Sequence, residues 1–179
     1  MRLLPATRFD ADRCAHELLA ADPEVRRAVQ EQLGAQSYGK DGNPDRAYLR
    51  NLVFSDAGRR KQLEAILHPV IRRRWMALAS EASAGKHWLF VDIPLLFESG
   101  VESSFDHVAV VACPPNTQLR RLINSRGLTS DLAEKMISTQ IDLRTKMSKA
   151  DHLIWNDSSL SCLDRQAALL AAWLLKSHA

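Results

Sequence analysis

Three short apolar runs constrain this chain most: HWLFVDI (87–93), HVAVVA (107–112) and HLIW (152–155). Each is rich in β-branched or aromatic residues and is followed by turn or loop residues, so each reads as a buried strand. The segments between them have helical spacing. Asp22-Pro23 predicts an N-cap with proline at the first helical position, followed by Val25, Val29 and Leu33 on one face. Leu63, Ile66 and Leu67 form an apolar face that leads to His68-Pro69, a His-Pro pair read as a helix junction. Asn116 or Thr117 can cap a helix burying Leu119, Leu122 and Ile123. Thr129-Ser130-Asp131 can open another, with Leu132, Met136 and Gln140 on one face, and a last helix spans about 163–175. Strands separated by helices predict an α/β fold with a mostly parallel sheet covered on both faces.

At 179 residues the chain has the size of one domain, or one domain with a lid, and a hydrophobic content of 46% is enough for a core. No apolar run approaches the roughly 20 residues of a membrane span. The opening MRLLPATRF is too short for a secretory signal, which predicts a cytoplasmic protein. Cys14, Cys113 and Cys162 are dispersed, which argues against a disulfide framework and a zinc site. A net charge of +3 suits a protein that handles anions without requiring nucleic acid. There is no internal repeat and no linker long enough to divide two independent domains.

In open α/β sheets ligands bind beyond the carboxyl ends of the strands. The first run ends in VDIPLLFESG, with Asp92 at the strand end and Glu98 after Pro94-Leu95-Leu96. These residues are either a packing unit or part of a site. The second run leads into Arg120, Arg121 and Arg126, with Arg144, Lys146 and Lys149 further on. Arginine forks match phosphate oxygens. Singly, each cation is a solvated surface group; together they suit a lid over a polyanion. The third run ends at Asn156, a turn former or a reader of a nucleobase edge. The opening FDAD places Asp10 and Asp12 just after an apolar stretch. Either can cap the following helix, and either can accept a proton from a hydroxyl nucleophile in phosphoryl transfer. His68 is a phosphate or hydroxyl contact, or a buried hydrogen-bonded histidine. Arg72, Arg73 and Arg74 form a basic turn with no aromatic platform beside it, which disfavours nucleic acid.

In this order, FDAD with AHELL, GNPDRAYLRNLVF, LHPVI, VDIPLLFESG, QLRRLINSRGLT, and Gln140 through KADHLIWND resemble the motifs of the dephospho-coenzyme A kinase family of P-loop nucleotide kinases. The resemblance covers nearly the whole chain. It implies transfer of the γ-phosphoryl group of ATP, with Mg2+, to the ribose 3′-hydroxyl of dephospho-coenzyme A. By the same resemblance Asp12 matches the general base and Lys146 a catalytic basic position. Asp10, Arg46, His68, Pro94, Leu95, Leu96 and Glu98 match the acceptor site. Arg121 and Arg126 match the lid, with a shift of one residue, and Asn156 lies near the adenine. The helical acceptor region spans about 13–80 and the lid about 120–146.

The sequence departs from the family in one respect. A strand, a GxxxxGK(S/T) loop and a helix precede the family's DAD segment; here nine residues precede Asp10, and no GK(S/T) occurs anywhere. That loop cradles the phosphates and holds magnesium. The expectation is a P-loop-kinase-like fold missing its first strand and helix, a gene product that continues upstream of Met1, and no turnover or ATP–magnesium binding by residues 1–179 alone. The alternatives are a non-catalytic relative that binds coenzyme A precursors and another small nucleotide kinase. Oligomeric state has no signature in the sequence.

Overall fold

The computed structural model describes residues 6–85 and 87–177 and divides into two compact units, Met1–Pro94 and Leu95–Ala179. The first unit has the order β1 (Ala6–Asp10), α1 (Ala11–Ala21), α2 (Pro23–Leu33), α3 (Arg46–Ser55), α4 (Ala57–Gly85) and β2 (Trp88–Asp92). β1 and β2 pair in parallel, from Ala6 opposite Trp88 to Asp10 opposite Asp92. Residues 1–5 of the opening MRLLPATRF lie outside the described residues.

α2 forms where Asp22-Pro23 predicts it. Asp22 Oδ1 accepts from the amides of Glu24 and Val25, each at 3.0 Å, and Pro23 takes the first turn, where its missing N–H costs nothing. Its Val25, Val29 and Leu33 stripe is buried. α4 packs against α1, α2, α3 and β2, and its Leu67, Trp75 and Ala82 join Leu18, Leu49 and the α2 stripe in the core.

The His68-Pro69 junction is corrected: α4 runs through it without a break. Proline removes the amide that would bond to the carbonyl of Ala65. Twenty-nine residues of helix, packed on three other helices, carry that local loss.

The second unit begins with a turn-rich stretch at 95–100, followed by β3 (Ala109–Ala112), α5 (Pro115–Arg126), α6 (Ser130–Ser138), α7 (Leu143–Lys149), β4 (His152–Trp155) and α8 (Leu160–Ser177). β3 and β4 are again parallel. Asp151 starts that ladder by accepting the Val108 amide at 2.8 Å. The α/β class, with parallel strands flanked by helices, is as the sequence predicts.

Several local expectations change. α5 is not capped by Asn116 or Thr117: Pro114 is its N-cap residue and Pro115 its first residue. The buried Thr117 hydroxyl instead donates to Asp157 Oδ1 at 2.7 Å, a contact 40 residues distant in sequence. Gln140 lies beyond the end of α6 at Ser138, off the face it was placed on. α7 has no apolar periodicity and was not foreseen. It is capped by Asp142, whose carboxylate accepts both the amide (3.0 Å) and the hydroxyl (2.6 Å) of Thr145. α5 ends at Gly127, whose φ of 64° is left-handed and natural for glycine.

Candidate functional site

In the first unit, the carboxyl ends of β1 and β2 bring two aspartates side by side. Asp10 caps α1 through Oδ1, accepting the Arg13 amide at 2.9 Å. Its Oδ2 lies 3.5 Å from Arg8 Nη2, which also donates to Asp92 Oδ2 at 3.3 Å. Arg8 therefore shares its charge between two carboxylates that would otherwise repel across the ladder. Asp12, in the first turn of α1, is exposed and makes no hydrogen bond or ion pair among the described residues. The two aspartates of FDAD thus differ in their contacts: Asp10 is tied to the backbone, and both carboxylate oxygens of Asp12 are open.

Arg46 is the first residue of α3 and is exposed; His68 is an exposed residue of α4. Neither is bonded to the aspartates. Pro94 follows β2 in an exposed turn. No three His, Cys, Asp or Glu side chains converge to hold a metal ion among the described residues.

In the second unit the turn carrying Leu95, Leu96 and Glu98 is closed by Ser99. Its amide donates to the Leu95 carbonyl at 3.0 Å, and its hydroxyl to the carbonyls of Leu95 and Leu96. This presents Glu98 to α7. Glu98 Oε1 accepts from Lys146 Nζ at 2.8 Å and from the Ile141 amide at 2.9 Å. Lys146 Nζ also donates to Gln140 Oε1 at 3.0 Å. Both members of the ion pair are largely sheltered, with Lys146 13% and Glu98 18% exposed.

Burial pushes the Glu98 carboxyl up, but the hydrogen bond from Lys146, the amides of Glu98 and Ile141 and the ammonium charge outweigh it. The carboxyl therefore sits below the ordinary glutamate range and is ionised at neutral pH. Such a group holds a cation; it does not serve as a proton acceptor near neutrality. One turn further along α7, Lys149 pairs with Glu102 at 3.7 Å and lies 5.7 Å from the centre of the buried Phe97 ring.

Arg121 and Asn156 also meet, through main chain. Arg121 Nη1 donates to the Asn156 carbonyl at 2.9 Å, and the Asn156 amide donates to the Ala112 carbonyl at 2.6 Å. The Gln166 side chain grips the preceding Trp155 at both ends of its peptide unit, accepting its N–H at 2.8 Å and donating to its C=O at 3.0 Å. The Asn156 backbone is thereby fixed while its carboxamide makes no hydrogen bond among the described residues. Arg126, the last residue of α5, is exposed and also without a bonded partner there.

Gln140, Gln166 and Asp92 were not singled out as site residues from sequence. Asp92 was visible as a strand-end carboxylate. Gln140 opened the motif that runs through KADHLIWND, but its bond to Lys146, six residues on, follows no helical or strand spacing, and Gln166 had no signal.

The dephospho-CoA kinase family model matches residues 2–161 of the chain. The chain belongs to the dephospho-CoA kinase family. Its reaction is the last step of coenzyme A biosynthesis, a phosphoryl transfer that uses ATP. Among curated dephospho-CoA kinases, that of Burkholderia thailandensis is 38% identical over 170 residues, covering 94% of this chain and 82% of the relative. That of Geobacillus kaustophilus is 36% identical over 176 residues, covering 97% and 87%. Among solved structures, the Thermus thermophilus protein TT1252 superposes with a TM-score of 0.75 at 30% identity, covering 94% of this chain and 85% of that one. The dephospho-CoA kinase of Campylobacter jejuni gives 0.68 at 26% identity, covering 97% and 87%. These likenesses agree with a P-loop-kinase-like fold. The family match ends at 161, so most of α8 lies beyond it.

Proposed function

We propose that this chain handles dephospho-coenzyme A as acceptor and ATP as donor, with the ribose 3′-hydroxyl attacking the γ-phosphorus. The observation that carries this reading is the family match across 160 residues; the open carboxylate of Asp12 and the sheltered Lys146 give it chemistry. In the transfer, the 3′-oxygen forms a bond to phosphorus, the bond from phosphorus to the bridging oxygen of ADP breaks, and Asp12 takes the hydroxyl proton. Lys146 and Arg126 offset charge on the transferring phosphates. Asp10 steadies the start of α1, and Arg46, His68 and the Pro94-Leu95-Leu96 turn shape the acceptor side. Asn156, with Arg121 bracing its carbonyl, reads the adenine edge.

In this reading residues 13–80 form the acceptor region and 120–146 the lid. Magnesium accompanies ATP as the nucleotide's own counter-ion. Among the described residues no three His, Cys, Asp or Glu side chains converge on a metal ion, and no step is assigned to magnesium. No described helix is long and apolar enough to cross a membrane, and we place the reaction in the cytoplasm, where ATP is held.

The test is transfer of label from γ-labelled ATP to dephospho-coenzyme A, with adenosine and other nucleosides as competing acceptors and binding of each measured by calorimetry. Label in coenzyme A, and not in the competitors, is the expected result for the chain joined to a GxxxxGK(S/T) segment, and no label for residues 1–179 alone. Dephospho-coenzyme A binding without transfer by the joined protein would select the non-catalytic relative. Transfer to other nucleosides alone would overturn the acceptor assignment.

A further inference from the structure

Lys146 Nζ carries three N–H bonds, and two have assigned acceptors: Glu98 Oε1 at 2.8 Å and Gln140 Oε1 at 3.0 Å. The two acceptors differ in kind. Glu98 is charged and supplies attraction, but attraction to one oxygen leaves the ammonium free to turn about that contact. Gln140 is neutral and adds a second direction without adding charge. A tetrahedral ammonium with two N–H bonds fixed has one direction left for the third. Gln140 is itself held in place. Its amide donates to the Ile137 carbonyl at 3.1 Å, and the next amide, of Ile141, donates to the same Glu98 oxygen that Lys146 uses. Glu98 Oε1 is thus the shared corner that ties the Gln140 segment to the lysine. The charge of Glu98 alone ties α7 to its turn; the second, neutral acceptor adds direction to an ammonium that is only 13% exposed. Such an arrangement suits a lysine that must meet an oxygen at a set place.

We propose that Gln140 is a positioning residue: together with Glu98 it orients the Lys146 ammonium so that its remaining N–H meets a phosphate oxygen of the nucleotide. This rests on the reading of Lys146 as a phosphate contact.

The test is amine acylation of the full chain followed by mass spectrometry, with the rate at Lys146 referred to the exposed Lys176. Wild type, Gln140→Ala and Gln140→Glu are compared, each with and without millimolar tripolyphosphate, and circular dichroism checks folding. Gln140→Ala should raise Lys146 acylation about fivefold, the factor that loss of one ordinary hydrogen bond gives. Gln140→Glu keeps an acceptor oxygen and should restore the slow rate. Tripolyphosphate should protect Lys146 in wild type and Gln140→Glu and fail to do so in Gln140→Ala. Equal acylation in wild type and Gln140→Ala, with protection intact in all three, overturns the role of Gln140 alone. Acylation as fast in Gln140→Glu as in Gln140→Ala also overturns it, since then the acceptor oxygen is not what matters. The expected acylation order with no protection by tripolyphosphate in any variant removes the phosphate role of Lys146, and the proposal with it.

Discussion

Replacing Glu98 by glutamine keeps the shape of the side chain and removes its charge. In the wild type Oε1 accepts two hydrogen bonds, one from an ammonium at 2.8 Å and one from the Ile141 amide at 2.9 Å. Bonds with a charged partner are worth about 1.5–3 kcal/mol and neutral ones about 0.5–1.5, so the substitution weakens the Ile141 bond by about 1 kcal/mol, while the Lys146 bond keeps its charged donor and loses the attraction of the ion pair. Lys146, only 13% exposed, is left without a counter-charge. The new amide also places an N–H where Glu98 Oε2 is buried with no partner among the described residues. Relief from desolvating a carboxylate offsets part of this. The net loss should be about 2 kcal/mol at neutral pH, below the ~3–5 kcal/mol of breaking a fully buried pair. The pH dependence identifies the cause. The folded-state Glu98 carboxyl lies below its ordinary value of 4.5, so between the two values the unfolded chain binds more protons than the folded one. The stabilisation is complete above 4.5 and disappears as pH falls through the folded-state value. Urea unfolding of both proteins from about pH 7 to about pH 3 should show a gap that closes in acid. A gap that stays constant into acid, or none at neutral pH, would refute the reasoning.

In the chain joined to a GxxxxGK(S/T) segment, Asp12→Asn should lower phosphoryl transfer by about 10²–10⁴ with little change in dephospho-coenzyme A binding, measured by the labelled-ATP assay and calorimetry. Leu18 is fully buried, and Leu18→Ala should cost about 2–5 kcal/mol in chemical unfolding, depending on how far α2 and α4 close the cavity. Pro69 is exposed within α4; Pro69→Ala restores an amide that can reach the Ala65 carbonyl and should raise the melting temperature, with a ceiling of about 3 kcal/mol. An unchanged melting temperature would mean that the backbone at 65–69 keeps its proline geometry in the variant.

What the sequence made legible is what local pattern controls. β2, β3 and β4 stood out because apolar runs of four to seven residues bounded by turn signals have few other uses, whereas β1, ATRFD, is no such run; α2 stood out because Asp22-Pro23 combines a cap with a proline that only a first turn tolerates. The order of motifs carried the family. α7 escaped because seven residues of LRTKMSK have no apolar stripe and their cap, Asp142, lies behind an irregular turn. His68-Pro69 misled because proline's local cost is outweighed by tertiary packing that sequence does not display. At the site, Asp10 and Asp12 could be named, but their division of labour depends on which oxygen faces a backbone amide. The Arg121–Asn156 contact runs to a main-chain carbonyl and so leaves no trace in side-chain chemistry.

The second unit shows why two separated motifs belong to one device. A seven-residue helix is far below the ~12–15 residues that an isolated helix needs for even marginal stability, so α7 must borrow order from its surroundings. It does so through its two lysines. Lys146 reaches Glu98, and Lys149 reaches Glu102 and the Phe97 ring, all on the stretch that follows Pro94. The turn in return is fixed by α7, since Glu98 also binds the Ile141 amide just before the helix begins. Local bonds close the turn at Ser99 and cap α7 at Asp142, and each segment supplies the other with a charged partner that its own sequence lacks. A ligand that engages Lys146 therefore acts on both segments at once, and binding free energy gained at the ammonium stabilises α7 and the Glu98 turn together. Loss of Glu98 accordingly does more than remove one contact: it leaves α7 held by its Asp142 cap and the Lys149–Glu102 pair, and the pH-dependent part of the loss is the share due to charge.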